Sequence, residues 1–257
     1  MHKLQGKRAL VTAGAQGIGL AISRQLLAAG CDLFVHYRSS AAAARALEPE
    51  AKALGRQYAH SAADLTKPEE CDRLVGEAVG FLGGLDVLVN NAGSLVARKL
   101  LSEADEAFWS EVMSLNVGSA RRVTRAAAPH LTAAAKTGGG ASIVNLSSLA
   151  GRKGGHPGSL VYSTAKGAIL TFTRALATEL GPLGIRVNAL APGMILGTSF
   201  HNTHTSPESA QATVAGIPLG RGGNADDVAR AAVFLASEYD GFITGATLDV
   251  NGGVYSA

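Results

Sequence analysis

Short apolar segments alternate with longer amphipathic segments along the whole chain. The apolar segments are typical of strands covered on both faces, and they span residues 8–13, 32–37, 57–62, 86–90, 142–146, 185–190 and 247–250. The longer segments predict helices over residues 18–29, 41–54, 68–82, 116–135, 161–180 and 225–236. This alternation predicts one α/β domain, residues 1–257, built on a doubly wound parallel sheet.

One segment, residues 192–221, breaks the alternation. It is rich in glycine and proline, carries few charges and is too long for an ordinary connection. Long connections in compact domains are often lids or binding loops. We therefore predict that this segment is a substrate lid.

Composition and charge narrow the classes of partner. Hydrophobic residues make up 47% of the chain and charged residues 17%, which is typical of a globular protein. The net charge is only +3 and the basic residues are scattered, so nucleic acid is not an expected partner. We find no apolar stretch long enough to predict a membrane span and no signal-peptide pattern.

The two cysteines carry no recognisable motif. Cys31 and Cys71 lack the spacing of redox or zinc sites. We expect both to be small buried thiols in a cytoplasmic protein.

A glycine-rich turn follows the first predicted strand and opens a helix. Gly14, Gly17 and Gly19 lie in this turn. Glycines let the backbone approach a pyrophosphate, and the helix N-terminus offers N–H groups and a partial positive charge. The alternative is a tight turn that only permits close helix packing.

Polar sequences at the ends of other strands favour the dinucleotide interpretation. Ligands of parallel sheets bind beyond the carboxyl ends of the strands. Four predicted strands are followed there by Asp64, by Asn90-Asn91-Ala92-Gly93, by Ser147-Ser148 and by Pro192-Gly193. Together these sequences predict one crevice.

The end of the second strand indicates which dinucleotide binds. A carboxylate there would accept hydrogen bonds from the ribose 2′-hydroxyl of NAD, but this strand ends in Tyr37 and Arg38, followed by Ser39. Arginine suits a 2′-phosphate, so the sequence favours NADP(H), with NAD(H) possible. The alternative is that Arg38 is a solvated surface charge.

Tyr162 and Lys166 are four positions apart in a predicted helix, so their side chains share one face. We expect the ammonium to lower the pKa of Tyr162 from its ordinary value of ~10, so that the phenol exchanges a proton near neutral pH. Ser148, at a strand end, is suited to donate a hydrogen bond to a substrate oxygen. A tyrosine and a lysine at this spacing, taken alone, are more often an ordinary surface pair. Their position after Ser148 and the glycine-rich turn favours catalysis.

In this order the motifs resemble the short-chain dehydrogenase/reductase family. The resemblance covers residues 7–253 and includes Asn116 as well as the motifs above. It implies a Rossmann-type sheet and hydride transfer between a nicotinamide and a ketone or secondary alcohol. It also implies a homotetramer or homodimer.

The resemblance further implies a role for individual residues. Tyr162 would be the acid/base, Lys166 would bind the nicotinamide ribose and lower the Tyr162 pKa, Ser148 would orient the substrate oxygen, and Asn116 would hold a water of a proton relay. The expected cofactor contacts are Gly14, Gln16, Gly17, Ile18, Gly19, Tyr37, Arg38, Ser39, Asp64, Leu65, Asn91, Ala92, Gly93, Tyr162, Lys166, Pro192, Gly193, Ile195 and Thr198.

Two positions depart from the family's pattern. The family commonly has glycine where Ala13 follows Thr12. An alanine tolerates this turn only with a negative φ, which we therefore expect at Ala13. Members that prefer NADP often carry a second basic residue where this chain has Gln16, which weakens the NADP prediction.

The mouth of the crevice supplies candidate substrate contacts. They are Ser94, Val96, His156, Met194 and Phe200. His201 and His204 have no accompanying carboxylate or cysteine, so no metal site is expected. Arg152 and Lys153 are expected to belong to a solvated loop rather than to bind an anionic substrate.

Several functions remain open beside a ketone reductase or secondary-alcohol dehydrogenase of small molecules. A 3-oxoacyl-[acyl-carrier-protein] reductase would need basic docking residues where Gly139 and Leu183 stand, so it ranks lower. An NAD-dependent sugar or polyol dehydrogenase is a further alternative. A catalytically silent nucleotide sensor usually lacks the proton-transfer residues, all of which are present here.

Overall fold

The computed structural model describes residues 4–137, 139–198, 203, 206–237 and 241–256. Within these residues seven strands form one sheet: β1 (Arg8–Val11), β2 (Asp32–Tyr37), β3 (Tyr58–Ala62), β4 (Val87–Asn90), β5 (Ala141–Leu146), β6 (Ile185–Pro192) and β7 (Thr247–Val250). All neighbouring strands are parallel, in the order β3-β2-β1-β4-β5-β6-β7. The winding reverses between β1 and β4, where a doubly wound sheet opens a ligand crevice at its carboxyl edge.

Helices cover both faces of the sheet. They are α1 (Gly17–Ala28), α2 (Ala41–Arg45), α3 (Glu48–Ala53), α4 (Pro68–Leu82), α5 (Glu106–Met113), α6 (Ser119–Lys136), α7 (Leu149–Lys153), α8 (Leu160–Leu180), α9 (Pro207–Ala215) and α10 (Ala225–Ala236). A π-helical turn, Ser114–Gly118, joins α5 to α6, and a 3₁₀ turn, Gly181–Leu183, follows α8. No helix of the described residues is long and apolar enough to cross a membrane.

Successive residues of the inner strands bury their side chains in two different cores. In β1, Ala9 and Val11 pack with α1 and α10, whereas Leu10 packs with α4 and α6 on the other face. This two-sided burial explains why the strands read as continuous apolar segments. The predicted α/β fold with a doubly wound parallel sheet is confirmed.

Several elements differ from the sequence-based expectation, among them α7, which was not predicted. The helix predicted over residues 41–54 is two short helices, because Pro49 has no N–H to continue one through this segment. The helix predicted from Asn116 is preceded by α5, which Asp105 caps through Phe108 N–H (2.8 Å), and Asn116 itself lies in the π-helical turn. The segment predicted as a lid contains α9.

Candidate active site

Thr12 ties the glycine-rich turn to the end of β4. Its Oγ1 accepts hydrogen bonds from the backbone N–H groups of Asn91 (2.9 Å) and Ala92 (3.0 Å). The Asn91 side chain in turn donates to the carbonyl oxygens of Thr12 and Ala13, both at 3.1 Å. The two strand ends at the reversal point therefore form one rigid edge of the crevice.

His36 supports the same turn from behind. Its Nδ1 accepts a hydrogen bond from Ala13 N–H (3.0 Å), and its Nε2 lies 3.0 Å from the carbonyl oxygen of Ala63. Because Nδ1 accepts, Nε2 carries the proton and the imidazole is neutral. Burial agrees with this, since it lowers the pKa of His36 below its ordinary value.

Ala13 does not have the negative φ expected from the sequence. Its φ is +50°, in the left-handed region. A Cβ makes this region about 1–2 kcal/mol less favourable than the right-handed one. Ala13 is held there because its N–H donates to His36 and its carbonyl oxygen accepts a hydrogen bond from Asn91.

The N-terminus of α1 is available to an anion. Gln16 precedes the helix, but its side chain accepts a hydrogen bond from Ser40 Oγ (3.0 Å) instead of capping the helix amides. The first turn contains no acidic residue. A Cβ at Gly19 would lie 2.1 Å from the Ala13 carbonyl oxygen, so only glycine permits this close approach of helix and turn. These features suit a pyrophosphate.

The side chain of Asn90 points away from the crevice, unlike the other polar residues predicted there. Its Nδ2 donates to Thr124 Oγ1 and to Asn145 Oδ1, each at 2.9 Å. Asn145 continues the chain of bonds to Thr173 Oγ1 (3.0 Å). Asn90 therefore joins α6 and α8 through the core, because the side chains of a strand alternate between its faces.

Asn116 is fixed by its π-helical turn. Its Nδ2 donates to the carbonyl oxygens of Ser94 (2.8 Å) and Val112 (2.9 Å), and its Oδ1 accepts from Ser94 N–H (3.2 Å). The amide therefore has one orientation. A Cβ at Gly93 would lie 2.6 Å from this Oδ1 and 2.9 Å from Lys166 Nζ, so Gly93 touches both residues.

Ser148, Tyr162 and Lys166 meet at the ends of β5 and β6. Ser148 accepts a hydrogen bond from Ala150 N–H (3.1 Å) at the start of α7 and is hydrogen-bonded to Tyr162. Lys166 Nζ donates to the carbonyl oxygen of Leu146 (2.8 Å) and lies 5.7 Å from the centroid of the Tyr162 ring. The lysine is only 4% exposed.

The pKa of Tyr162 moves in the opposite direction to the sequence-based expectation. Burial raises it to about 12, against a smaller lowering by the hydrogen bond with Ser148. Burial is the larger of these two causes, and the Lys166 ammonium donates its hydrogen bond to the Leu146 carbonyl oxygen. Burial lowers the pKa of Lys166 itself to about 8. With its pKa raised, the Tyr162 hydroxyl is protonated at neutral pH and can act as an acid.

One cleft of about 190 Å³ joins the glycine-rich turn to these side chains. It is lined by Ala13, Gln16, Gly17, Ile18, Gly19, Asn91, Gly93, Leu146, Ser147, Ser148, Tyr162, Lys166, Pro192, Gly193, Ile195 and Thr198. The residues fit a dinucleotide: an anion-binding helix terminus lies at one end and a proton donor at the other. Ala13 and Leu146 were not predicted, although each adjoins a predicted residue in the sequence.

The predicted adenosine contacts lie outside that cleft. Arg38 and Ser39 are exposed beyond β2, and Tyr37 packs edge to face on His60. Hydrogen bonds from Thr66 hold the pKa of Asp64 low, and the charge of Arg38 contributes to the same shift. Gly14, Leu65 and Ala92 do not line the cleft.

A second cavity, of about 360 Å³, shares Ser148, Tyr162, Pro192 and Gly193 with the cleft. Two predicted substrate contacts, His156 and Met194, line it. Ser94 and Val96 do not. Phe200, His201 and His204 lie outside the described residues. Arg98, Leu149 and Ile217 also line this cavity and were not predicted, since nothing in their sequence marks them.

Arg152 and Lys153, which the sequence predicted to lie in a solvated loop, differ in exposure. Arg152 is not solvated, because it is paired with Asp249 (3.0 Å) and only 15% exposed. Lys153 is exposed and lines the second cavity.

No group of three or more metal-ligating side chains is found among the described parts of the chain.

Val96 has a positive φ of +64°, which is rare for a β-branched residue. Its N–H donates to Ser94 Oγ (3.0 Å), and its side chain packs on the apolar cluster that also contacts Tyr162. Strained residues of this kind concentrate at functional sites.

Comparison with known proteins identifies the family. A family model described as Enoyl-(Acyl carrier protein) reductase matches residues 12–255. The chain is 38% identical over 254 residues to an uncharacterized oxidoreductase of Mycobacterium tuberculosis, covering 99% of this chain and 94% of that one. It is 37% identical over 249 residues to the 3-oxoacyl-[acyl-carrier-protein] reductase of Staphylococcus aureus, covering 97% and 98% of the two chains.

Solved structures agree in fold. The NADH-dependent reductase A1-R′, complexed with NAD, superposes with a TM-score of 0.88 at 36% identity, covering 99% of this chain and 98% of that one. A short-chain dehydrogenase from Burkholderia cenocepacia J2315, in complex with NADP, superposes with a TM-score of 0.91 at 34% identity, covering 99% and 100%. A nicotinamide cofactor is therefore supported in both its forms. With this fold, this cleft and these relatives, the chain belongs to the short-chain dehydrogenase/reductase family of NAD(P)-dependent oxidoreductases.

Proposed function

We propose that this oxidoreductase transfers a hydride between NADP(H) and a small-molecule ketone or secondary alcohol. One observation carries the proposal: Ser148 and Tyr162 line both the cleft at the glycine-rich turn and the adjoining cavity. A substrate carbonyl in the cavity meets two hydroxyl groups at the boundary with the cofactor. The bound nicotinamide supplies or accepts the hydride, and the protein supplies the proton.

The four polar side chains divide the remaining work. Tyr162 gives its proton to the substrate oxygen during reduction, for which its raised pKa keeps it protonated. Ser148 donates a hydrogen bond to the same oxygen. Lys166 would bind the nicotinamide ribose, and Asn116, fixed by Ser94 and Val112, would hold a water near Lys166.

Replacing Tyr162 tests the proton transfer. Tyr162→Phe removes only the hydroxyl, so we expect NADPH binding to persist while turnover of an activated neutral diketone falls at least ~1,000-fold. Cofactor fluorescence measures binding and NADPH absorbance measures turnover. A mutant that turns over as fast as the wild type would refute the role of Tyr162. The silent-sensor alternative instead requires a wild type without turnover.

The NADPH preference rests on the end of β2. Arg38 is exposed there, close enough to Asp64 to affect its pKa, and no acidic residue ends the strand. A guanidinium binds a 2′-phosphate through charge-assisted hydrogen bonds. Gln16, bonded to Ser40, offers no second charge, so the preference depends on Arg38.

Arg38→Ala tests this preference. We expect the Kd for NADPH to rise about 10-fold or more and the Kd for NADH to stay within twofold, since only NADPH carries the 2′-phosphate. Arg45→Ala, a change of the same charge on α2, is the control. Unchanged NADPH affinity in Arg38→Ala would remove the phosphate argument.

Reduction of a 3-oxoacyl carrier-protein substrate is a second candidate, favoured by the S. aureus relative. Gly139 and Leu183 provide no positive charge for an acidic carrier at the expected docking positions. We therefore expect a free ketone to be reduced no more slowly than the same acyl group on a carrier protein. If the carrier-bound substrate had a kcat/KM at least tenfold higher than the free ketone, the order of the two candidate functions would be reversed.

We also propose that the protein is a cytoplasmic homotetramer. Several large apolar side chains are exposed, as expected of subunit interfaces. They include Leu101 (75% exposed), Trp109 on α5, Phe242 (104%) and Leu248 on β7. Cys31 and Cys71 are buried free thiols, which suits a reducing compartment. Light scattering that gave a monomer would contradict the tetramer.

A further inference from the structure

The second cavity, beside Ser148 and Tyr162, determines which groups a substrate can carry in addition to its ketone. A ketone oxygen bonded to these two hydroxyls leaves the rest of its molecule in this space of about 360 Å³. Such a volume suits a small metabolite. Its buried wall residues include Leu95, Met194 and Ile217, which are apolar.

The charged side chains of the same lining all have one sign. Arg98 and Lys153 are the charged residues that line the cavity, the imidazole of His156 lines it as well, and no aspartate or glutamate does so among the described residues. All three are exposed, so they surround the opening and not the buried wall. We call them the cationic mouth.

Backbone contacts keep the members of the cationic mouth together. Arg98 Nη1 donates to the Pro157 carbonyl oxygen (3.2 Å), and the next residue, Lys99, donates its N–H to Gly158 (3.0 Å). Residues 98–99 are therefore bound to the loop that carries His156. Three positions that are separate in the sequence thus converge on one opening.

The carboxylate paired with the preceding residue does not neutralise Lys153. Asp249 is bound to Arg152 through two hydrogen bonds, at 3.0 and 3.1 Å. Lys153, the next residue, forms no salt bridge within the described part of the chain. Its charge remains directed at solvent and at the cavity opening.

An opening of one charge sign concentrates ions of the opposite sign and speeds their capture. A carboxylate also forms strong charge-assisted hydrogen bonds with ammonium and guanidinium groups. We propose, on the basis of the function proposed above, that the substrate is a small oxo acid. Its ketone lies at Ser148 and Tyr162, and its carboxylate lies at the cationic mouth.

The carboxylate takes no part in the reaction. Reduction adds a hydride from the reduced cofactor to the ketone carbon and a proton from Tyr162 to the ketone oxygen. The products are the hydroxy acid and the oxidised cofactor, and solvent returns the proton to Tyr162. The reverse reaction oxidises the hydroxy acid by the same steps.

Matched substrate pairs test the proposal. Each pair is an oxo acid and its methyl ester, with the ketone at the second, third or fourth carbon, so that only the charge differs. In at least one pair we expect kcat/KM for the acid to exceed that for the ester by about tenfold at low ionic strength. The advantage should shrink in concentrated salt, because exposed charges are screened. Calorimetric titration of the cofactor-bound protein should rank acid and ester in the same order.

Variants that reverse or remove a charge separate the cationic mouth from general electrostatics. Lys153→Glu should lower the acid-to-ester ratio of kcat/KM at least tenfold, and Arg98→Gln should lower it in the same direction. Lys52→Glu, an exposed change of the same charge on α3, should leave the ratio unchanged. Melting temperatures confirm that each variant is folded.

The outcomes distinguish this proposal from the one on which it rests. If the neutral diketone is reduced in a Tyr162-dependent manner but no acid is preferred over its ester, only the oxo acid proposal is overturned. An unaltered ratio in Lys153→Glu overturns it as well. If no ketone of either kind is reduced with either cofactor, the proposed function fails, and the substrate class fails with it.

Discussion

Gly93→Ala is expected to impair catalysis without removing any catalytic group. The added Cβ would lie 2.6 Å from Asn116 Oδ1 and 2.9 Å from Lys166 Nζ. An ordinary carbon–oxygen contact is about 3.3 Å or longer, so Asn116 must move by roughly 0.7 Å. Its three hydrogen bonds, to Ser94 and Val112, oppose this shift.

The shift should affect activity more than stability. The longest of the Asn116 bonds, at 3.2 Å to Ser94 N–H, is the first to break, at a cost of about 0.5–1.5 kcal/mol. Alanine offsets about 0.4–1 kcal/mol of this by restricting the unfolded chain. A displacement of this size in an active site lowers kcat by about 10- to 100-fold.

The assay compares kcat, NADPH affinity and melting temperature with those of the wild type. Gly80→Ala is the matched control, because its Cβ would meet no atom within 4 Å on the exposed side of α4. We expect that control to be about 0.5–1 kcal/mol more stable and fully active. A folded Gly93→Ala protein with kcat within twofold of the wild type would refute the reasoning.

Two further substitutions test the support of the glycine-rich turn. Ala13→Gly should raise stability by about 0.5–1 kcal/mol, because relief of the left-handed strain exceeds the added entropy of the unfolded chain; a lower melting temperature would contradict this. His36 has a folded-state pKa below the unfolded value of 6.5, so the unfolded state binds more protons and stability falls as the pH drops below about 6.5. His36→Asn should reduce the loss of melting temperature between pH 8 and pH 5, and an equally steep loss would exclude His36 as a cause.

The elements predicted with the greatest success are those whose sequence pattern reflects local burial. The strand over residues 32–37 and the helix over residues 68–82 have the bounds that the apolar pattern indicated. A strand buried on both faces must be apolar throughout, and a helix on a sheet must repeat its apolar positions at helical spacing. The prediction of a single helix over residues 41–54 was wrong, because Pro49 interrupts the helix without altering the apolar pattern.

The sequence also predicted the main residues of the candidate site, but not all of their properties. Ser148, Tyr162 and Lys166 were identified as a set, and the structure brings their side chains together at one cleft. The predicted lowering of the Tyr162 pKa was wrong, because burial of the phenol raises it, and Lys166 Nζ donates to the Leu146 carbonyl oxygen. Spacing along a helix specifies which face a side chain occupies, but not which atom it bonds.

The sequence by itself determined the order of strands and helices, the glycine-rich turn at the first helix and the residue types available for proton transfer. These features follow from local backbone preferences and hydrophobic periodicity. Only the tertiary structure decided that Ala13 is left-handed against His36, that Asn90 serves the core, and that Arg98 joins Lys153 and His156 at one opening. Each of these depends on contacts between residues far apart in the chain, whose distances arise only when the sheet and its two helix layers pack.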